Sequence, residues 1–265
     1  MPDLNLREGY EREGFAVLAD PVLPSSVVTA ALDGMNSIRR GEYDRREPPE
    51  SSLWNPGEDP DTLCKIEQPQ KASQGVFDLI RHPTVGKLAA EVTGADWVQV
   101  WWVQLLYKPS IEASDSARVN IGWHQDRHYW QSWEEGSELL TAWIALSDVG
   151  VDSGPMRFVA GSHDWGFLDG ASDFKGQDVE AVRSGIQIPD DRTWEEKPAL
   201  MRAGGLSLHH CLTFHGSTAN RSGRPRMSFA VHLRTQNSRP VNNERKSLTR
   251  FIDDETVCPV IYSSR

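Results

Sequence analysis

The sequence predicts a mainly β fold with flanking helices, built around a double-sheet jelly roll or barrel. Several short strand-like runs, separated by Gly, Pro and Ser, follow one another from Asp96 onward. The first 95 residues instead show helical patterns. The chain has 265 residues, of which 38% are hydrophobic and 25% charged, and this mixture can bury a sizeable core. We therefore expect one domain over residues 1–265.

The N-terminal part, residues 1–95, is expected to be mostly helical and to pack on the β core. Its elements are predicted from apolar periodicity, from the Ser pair that can cap a helix, and from Pro and Gly as breakers. In chain order they are a short helix over 4–13, a strand at FAVLAD, a helix from Pro24 to about Arg40, a long loop over 41–63 and a helix over 75–93 broken near Pro83.

The β core is expected over residues 96–236. Its strands are rich in Val, Trp, Leu and Phe, and turn residues divide them. The strand-like runs are WVQVWWVQLLYKP, as one strand or a pair, then LLTAWIALSDV, PMRFVAG, GGLSLHHCLTFH and RMSFAVHLRTQ. SDSARVNIG reads as a loop, and residues near 164–203 read as a long polar insertion. Insertions of this length are usually functional or mobile. Residues 237–265 are expected to form a C-terminal extension.

Charge and composition argue against several classes of partner. There are 28 basic and 38 acidic residues, so the net charge is −10, which disfavours a nucleic-acid binder and, less strongly, CoA esters. The sequence has no run of about 18 apolar residues and no signal peptide, so we expect a cytoplasmic protein without a membrane partner. Cys64, Cys211 and Cys258 are widely spaced and predict neither disulfides nor a zinc knuckle. We expect a small-molecule substrate, and the oligomeric state stays open.

A metal site is predicted by His124, Asp126 and His215. Residues i and i+2 of a strand point the same way, so His124 and Asp126 can grip one ion. The pair alone is weak evidence, but His215 ends another strand-like run 91 residues later, and a closed sheet can bring the three together. Two His and one carboxylate leave three positions open on a metal, which suits non-haem Fe(II).

An anion clamp is predicted by Arg226, which follows His215 by 11 residues. A guanidinium can hold a carboxylate through two parallel hydrogen bonds, and Ser217 can add a hydroxyl donor. Arg224 is the competing cation, although Pro225 favours a strand that starts after it. A metal together with a carboxylate clamp fits the binding of 2-oxoglutarate.

The joint pattern resembles the phytanoyl-CoA dioxygenase family of Fe(II)/2-oxoglutarate-dependent oxygenases. The residues that carry the resemblance are HQD (124–126), HGSTAN (215–220) and Arg226, supported by YEREGFAVLAD, LYKPS and SGPMRFVAGSH, with Ala160 where the family usually has Pro. It covers about residues 8–236. The resemblance implies a double-stranded β-helix, a cupin-like jelly roll, and a hydroxylase that releases succinate and CO₂.

The resemblance also implies roles for individual residues. His124, Asp126 and His215 correspond to the iron ligands, and Arg226 and Ser217 to the residues that hold the distal carboxylate. Trp143 and Gln104 are further co-substrate candidates. Related halogenases lack the carboxylate of the His-x-Asp pair, and because Asp126 is present we expect hydroxylation. O₂ is the oxidant, and ascorbate is the expected reductant in vitro.

The substrate side is predicted only in outline. Candidate substrate residues are His128, Trp123, Trp130 and Lys108. The alternative role is packing or solvent exposure for His128, packing for the two Trp residues, and capping of a strand end for Lys108. An aromatic rim would favour an apolar or ring-bearing molecule. Two other functions stay open: a cupin-like metalloenzyme that needs no 2-oxoglutarate and no Arg at this spacing, and a non-catalytic binding module of the same fold.

Overall fold

The computed structural model describes residues 6–45, 47–50, 54–60, 62–112, 119–168 and 172–264. Within these ranges the helices are α1 Leu6–Glu13, α2 Ser25–Arg39, α3 Gln74–Ile80, α4 Pro83–Thr93 and α5 Val179–Gly185. The strands are β1 Phe15–Leu18, β2 Cys64–Glu67, β3 Trp97–Lys108, β4 Ile121–His124, β5 Leu139–Ala145, β6 Arg157–Val159, β7 Glu196–Pro198, β8 Leu206–His210, β9 His215–Ser217, β10 Arg226–Thr235 and β11 Val260–Ser263. The start of the predicted first helix and most of the predicted SDSARVNIG loop lie outside the described residues.

The strands form two antiparallel sheets, which confirms the mainly β fold class. The larger sheet has the order β1-β8-β5-β10-β3-β11, and β2 adds to the same edge of β3 as β11. The smaller sheet has the order β4-β9-β6-β7. Side chains from both sheets line one cavity of about 490 Å³, which therefore lies between them.

Helices α2, α3 and α4 cover the outer face of the larger sheet. Val103, Leu105, Phe229 and Val231 alternate with residues that face the cavity and join one apolar cluster with side chains of α2, α3 and α4. Burying each such side chain stabilises the fold by about 1.5–3 kcal/mol. This cover leaves the inner face of the sheet free to carry polar and ionisable groups.

A β-bulge interrupts the pairing of β3 with β10. His232 lies opposite Trp102, but the next pair is Leu233 with Val100, so Trp101 is an extra residue on β3. A bulge redirects side chains that regular alternation would send to opposite faces. Consequently both Trp101 and Trp102 line the cavity.

Four strands were not predicted from the sequence. β2 follows the predicted 41–63 loop, β4 begins inside the predicted SDSARVNIG loop, β7 lies inside the predicted 164–203 insertion, and β11 lies inside the predicted extension. The predicted run GGLSLHHCLTFH divides into β8 and β9, which lie in different sheets. The segment predicted as an insertion is part of the β core, because β7 completes the smaller sheet and α5 packs beside β4. No helix among the described residues has the length and apolar character needed to cross a membrane.

Candidate active site

Strand pairing brings the two predicted histidine ligands together. His124 on β4 lies directly opposite His215 on β9, and the ring centroids are 4.1 Å apart. Asp126 follows β4 in a short 3-10 turn, which directs its carboxylate back towards the two rings. Asp126 Oδ1 is 3.9 Å from His124 Nε2 and 3.6 Å from His215 Nε2. All three side chains are buried.

Backbone carbonyls fix which nitrogen of each histidine faces the site. His124 Nδ1 lies 2.8 Å from the carbonyl of Gly122, and His215 Nδ1 lies 2.9 Å from that of Thr213. A carbonyl only accepts, so Nδ1 carries the proton and Nε2 keeps its lone pair. Burial lowers the pKa of His124 and holds the pKa of His215 well below its usual range, so both rings are neutral.

These residues fit a bound divalent metal ion. One ligand atom from each of His124, Asp126 and His215 lies within 4.8 Å of the other two. Ligand bonds of about 2.0–2.2 Å place ligand atoms no more than roughly 4.4 Å apart, and both distances from Asp126 satisfy this limit. Three protein ligands, two neutral imidazoles and one carboxylate, leave positions for other molecules on the same ion.

The second oxygen of Asp126 is held by the larger sheet. Thr141 Oγ1 donates to Asp126 Oδ2 at 2.9 Å, and His209 Nε2 lies 3.3 Å from the same oxygen. Thr141 Oγ1 is also 2.8 Å from His232 Nδ1. Thr141, His209 and His232 are cross-strand neighbours on β5, β8 and β10. Burial alone would raise the pKa of Asp126, but the adjacent His215 and His209 outweigh it and hold that pKa well below its usual range.

Two buried cations lie at another part of the cavity. Lys108 and Arg226 are cross-strand partners at one end of the β3–β10 pair. Lys108 Nζ donates to Ser217 Oγ at 2.6 Å and to the carbonyl of Thr218 at 2.8 Å. Arg226 Nη1 donates to the carbonyl of Gly154, while its buried Nε has no partner among the described residues.

No described acidic side chain compensates these two cations. Burial and the nearby Arg226 hold the pKa of Lys108 well below its usual range, and burial lowers the pKa of Arg226 to about 10. Buried charge is costly without a partner of opposite sign. The arrangement of Lys108, Arg226 and Ser217 therefore suits an anionic ligand group.

Trp143 and Gln104, the other predicted co-substrate residues, also line the cavity. Both lie opposite Ala230 of β10, one on each side, so they share the inner face of the sheet. The Trp143 ring lies 5.1 Å from the Arg226 guanidinium carbon. Gln104 donates to Glu67 at 3.3 Å.

The predicted substrate residues divide into two groups. Trp130 and Lys108 line the cavity, with Lys108 beside Ser217 and Arg226. Trp123 and His128 are not among the residues that line it, so their role in substrate binding stays a prediction. Trp123 precedes His124 on β4 and points to the opposite face, where its ring packs 5.0 Å from Trp194. Arg224, the rival to Arg226, is exposed.

Gln125 is a structural residue that the sequence analysis missed. Its buried side chain donates to the carbonyls of Gly166 and Leu212, both at 2.8 Å, and accepts from the backbone of Leu168 at 3.0 Å. It thereby ties the turn that carries Asp126 to two other segments. Its position between His124 and Asp126 was the one available signal, because a residue there must point away from the metal ligands.

Phe174 is a second missed residue, and it covers the site. The backbone of residues 173 and 174 pairs with β4, with Asp173 donating to Trp123 at 3.0 Å and Gly122 donating to Phe174 at 3.2 Å. The Phe174 ring lies 5.2 Å from that of His124. Part of the predicted insertion is thus a cavity wall beside the histidine.

Comparison with known proteins agrees with this geometry. The sequence model of the family described as phytanoyl-CoA dioxygenase (PhyH) matches residues 10–228, most of the chain. The chain belongs to this family. The resemblance seen in the sequence is confirmed, and so is the enzyme class, a non-haem iron- and 2-oxoglutarate-dependent dioxygenase.

Individual proteins that the chain resembles share about a quarter of their aligned residues with it. Ectoine dioxygenase of Bordetella parapertussis is 25% identical over 244 residues, which are 87% of this chain and 75% of that protein. Among solved structures, the non-heme alpha ketoglutarate dependent carbocyclase SnoK from nogalamycin biosynthesis is 26% identical, with a TM-score of 0.66 over 89% of this chain and 85% of that one. The epimerase SnoN, solved with Fe3+ and alpha ketoglutarate, is 24% identical, with a TM-score of 0.70 over 94% and 88%. The likeness in fold confirms the jelly-roll core.

Proposed function

We propose that this protein hydroxylates a small molecule, using Fe(II), 2-oxoglutarate and O₂ and releasing succinate and CO₂. The observation that carries the proposal is a single cavity that joins a metal-ligand cluster to two buried cations without an acidic partner. A metal enzyme of another class has no use for the cations, and a simple anion-binding module has no use for the cluster.

His124, Asp126 and His215 would hold the iron. When bound, the ion supplies, together with 2-oxoglutarate and O₂, the oxidising power to replace a C–H bond by C–OH. The protein contributes neutral Nε2 lone pairs, one carboxylate oxygen, and ring orientations fixed through Nδ1.

Lys108, Arg226 and Ser217 would hold the distal carboxylate of 2-oxoglutarate. The unpartnered Nε of Arg226 and the ammonium of Lys108 offer charge-assisted donors to a carboxylate. An incoming carboxylate would pair with the guanidinium of Arg226, and it would also favour the protonated form of Lys108, whose pKa burial and Arg226 lower. Trp143 packs beside the guanidinium.

The rest of the cavity suits a ring-bearing substrate without clustered negative charge. Its lining includes the rings of Trp101, Trp102, Trp130 and Phe174. The ionisable groups there are paired, Lys65 with Glu67 at 3.2 Å and Arg250 with Glu50 at 3.2 Å. A CoA ester would need unpaired cations for its phosphates, and this pairing disfavours it. Large aromatic surfaces instead favour rings.

The test is a screen for succinate release. Purified protein would receive Fe(II), ascorbate, 2-oxoglutarate and a library of small ring-bearing compounds, and succinate and product mass would be measured. We expect succinate to rise with one class of compound and Asp126→Ala to abolish it. Failure of the anaerobic, metal-loaded protein to bind 2-oxoglutarate below about 1 mM would contradict the proposal and favour an enzyme that needs no 2-oxoglutarate.

A further inference from the structure

The two oxygens of the Asp126 carboxylate have different surroundings. Oδ1 faces the Nε2 atoms of His124 and His215, at 3.9 and 3.6 Å. Oδ2 faces the larger sheet, where Thr141 donates to it at 2.9 Å and His209 Nε2 lies at 3.3 Å. A carboxylate that binds a metal ion has no proton to give, so the His209 contact uses a proton on Nε2. One oxygen is therefore engaged twice, and the other is left for a metal.

The direction of the Thr141 hydrogen bonds follows from counting protons. A hydroxyl has one proton, and Thr141 gives it to Asp126. The contact of 2.8 Å between Thr141 Oγ1 and His232 Nδ1 must then use a proton from the histidine. Burial lowers the pKa of His232 to about 4, so the ring is neutral and carries its single proton on Nδ1. The chain of donors runs from His232 through Thr141 to Asp126.

This chain of donors is fixed by the sheet rather than by a loop. His232 and Thr141 are cross-strand partners on β10 and β5, and His209 is the partner of Thr141 on β8. The His232 ring packs 4.8 Å from Trp130 and 5.5 Å from Trp101, the residue of the bulge. Neither His232 nor Thr141 belongs to the metal-ligand cluster.

We propose that Thr141 and His232 are positioning residues that, with His209, keep Asp126 a one-oxygen ligand of the metal. A carboxylate free to turn can bind an ion through both oxygens, which would fill a position that the co-substrate or O₂ needs. Engaging Oδ2 with two donors prevents that turn. The inference rests on the proposed function, because it concerns the same metal site.

The test compares Thr141→Val with Thr141→Ser. Val has the shape of Thr without the hydroxyl, whereas Ser keeps the hydroxyl without the methyl. Metal-free proteins would be titrated with Co(II), followed by visible absorption, and their thermal midpoints would be recorded. We expect T141V to bind Co(II) about 10–100-fold more weakly and with an altered spectrum, because groups that orient metal ligands have effects of this size. T141S should stay within about threefold of the wild type.

The outcomes separate positioning from structure and from the proposed function. Co(II) binding of T141V within about threefold of the wild type and with the same spectrum would overturn the inference, as would equal losses in T141V and T141S. If T141V does not fold, His232→Phe replaces it, and it should weaken Co(II) binding at least about threefold while His232→Gln, which restores an N–H donor, does not. Unchanged binding in H232F would then overturn the inference. If the wild-type protein binds no Co(II), this result would instead contradict the proposed function.

Discussion

At the scale of single residues, Arg226 is the most direct test of the anion end of the cavity. Replacing it with Ala removes a charge-assisted contact worth about 2–4 kcal/mol, so the KM for 2-oxoglutarate should rise about 30- to 1000-fold. Arg224→Ala is the matched control, because Arg224 is exposed two residues earlier and should leave KM unchanged. Steady-state succinate assays measure both. A rise below threefold in R226A would argue against the clamp.

Lys108 should make 2-oxoglutarate binding sensitive to pH. Burial and Arg226 lower the pKa of Lys108, and only the protonated amine is a cation for a carboxylate. Affinity should therefore fall as pH rises through the lowered pKa, whereas Lys108→Met should bind weakly at every pH. Calorimetric titration of 2-oxoglutarate into metal-loaded protein at a series of pH values measures this. Parallel pH profiles in the two proteins would contradict it.

Spacing along the chain is enough to find some site residues and not others. Short motifs contain four of the site residues, and each motif indicates its chemistry without the others. These residues are His124, Asp126, His215 and Arg226. Thr141 and His232 could not be found that way, because their role depends on the register of three strands. Lys108 was expected on the substrate side, since the sequence does not tell which end of the cavity the last residue of a long strand reaches.

At the scale of elements, the contact between β4 and residues 172–177 depends on Gly122. A Cβ at Gly122 would lie 2.0 Å from the carbonyl oxygen of Asp173. Gly122→Ala should therefore push this segment off β4 and destabilise the protein by about 1–3 kcal/mol. Hydrogen exchange at residues 172–177 should accelerate. Gly185→Ala is the control, since no atom lies within 4 Å of its Cβ, and equal exchange in both variants would contradict the prediction.

Elements with strong apolar periodicity were predicted well, and short polar ones were not. The helices over 25–39 and 83–93 and the long strand over 97–108 follow their patterns closely. β2 reads CKIE and β7 reads EKP, so neither has the apolar run that identifies a strand. β2 and β7 form because β3 and β6 each have an edge with free backbone hydrogen-bonding groups. The position of such an edge depends on the tertiary structure and cannot be predicted from the local sequence.

At the scale of the whole molecule, the metal-free protein should lose stability in mild acid. Burial lowers the pKa of His210 and of His232 to about 4, whereas a histidine in the unfolded chain titrates near 6.5. Protons therefore bind the unfolded state first. The two neutral histidines contribute their full share to the free energy of unfolding above about pH 6.5. This contribution falls as the pH drops towards 4, and at pH 5 each histidine has lowered the free energy of unfolding by about 2 kcal/mol.

Urea unfolding of the metal-free protein at about pH 7.5, 6 and 5 measures this loss. His210→Gln should show a shallower pH dependence than the wild type, because one histidine with a lowered pKa is gone. A free energy of unfolding that stays constant between pH 7.5 and 5 would contradict the prediction. Metal must be absent, since its binding to the neutral histidines adds a second pH dependence.

The short strand β9 fixes the distance between a metal ligand and a residue of the proposed carboxylate site. His215 and Ser217 lie on one face of it, two residues and therefore about 6.6 Å apart, and an extended backbone cannot shorten or stretch that interval. Under the proposed function, one keto acid must meet the metal beside His215 and the hydroxyl of Ser217 at the same time. We therefore expect a four-carbon diacid such as oxaloacetate and the six-carbon 2-oxoadipate to bind more weakly than 2-oxoglutarate. Because this selection would come from backbone geometry, enlarging the ring-lined part of the cavity should leave it unchanged.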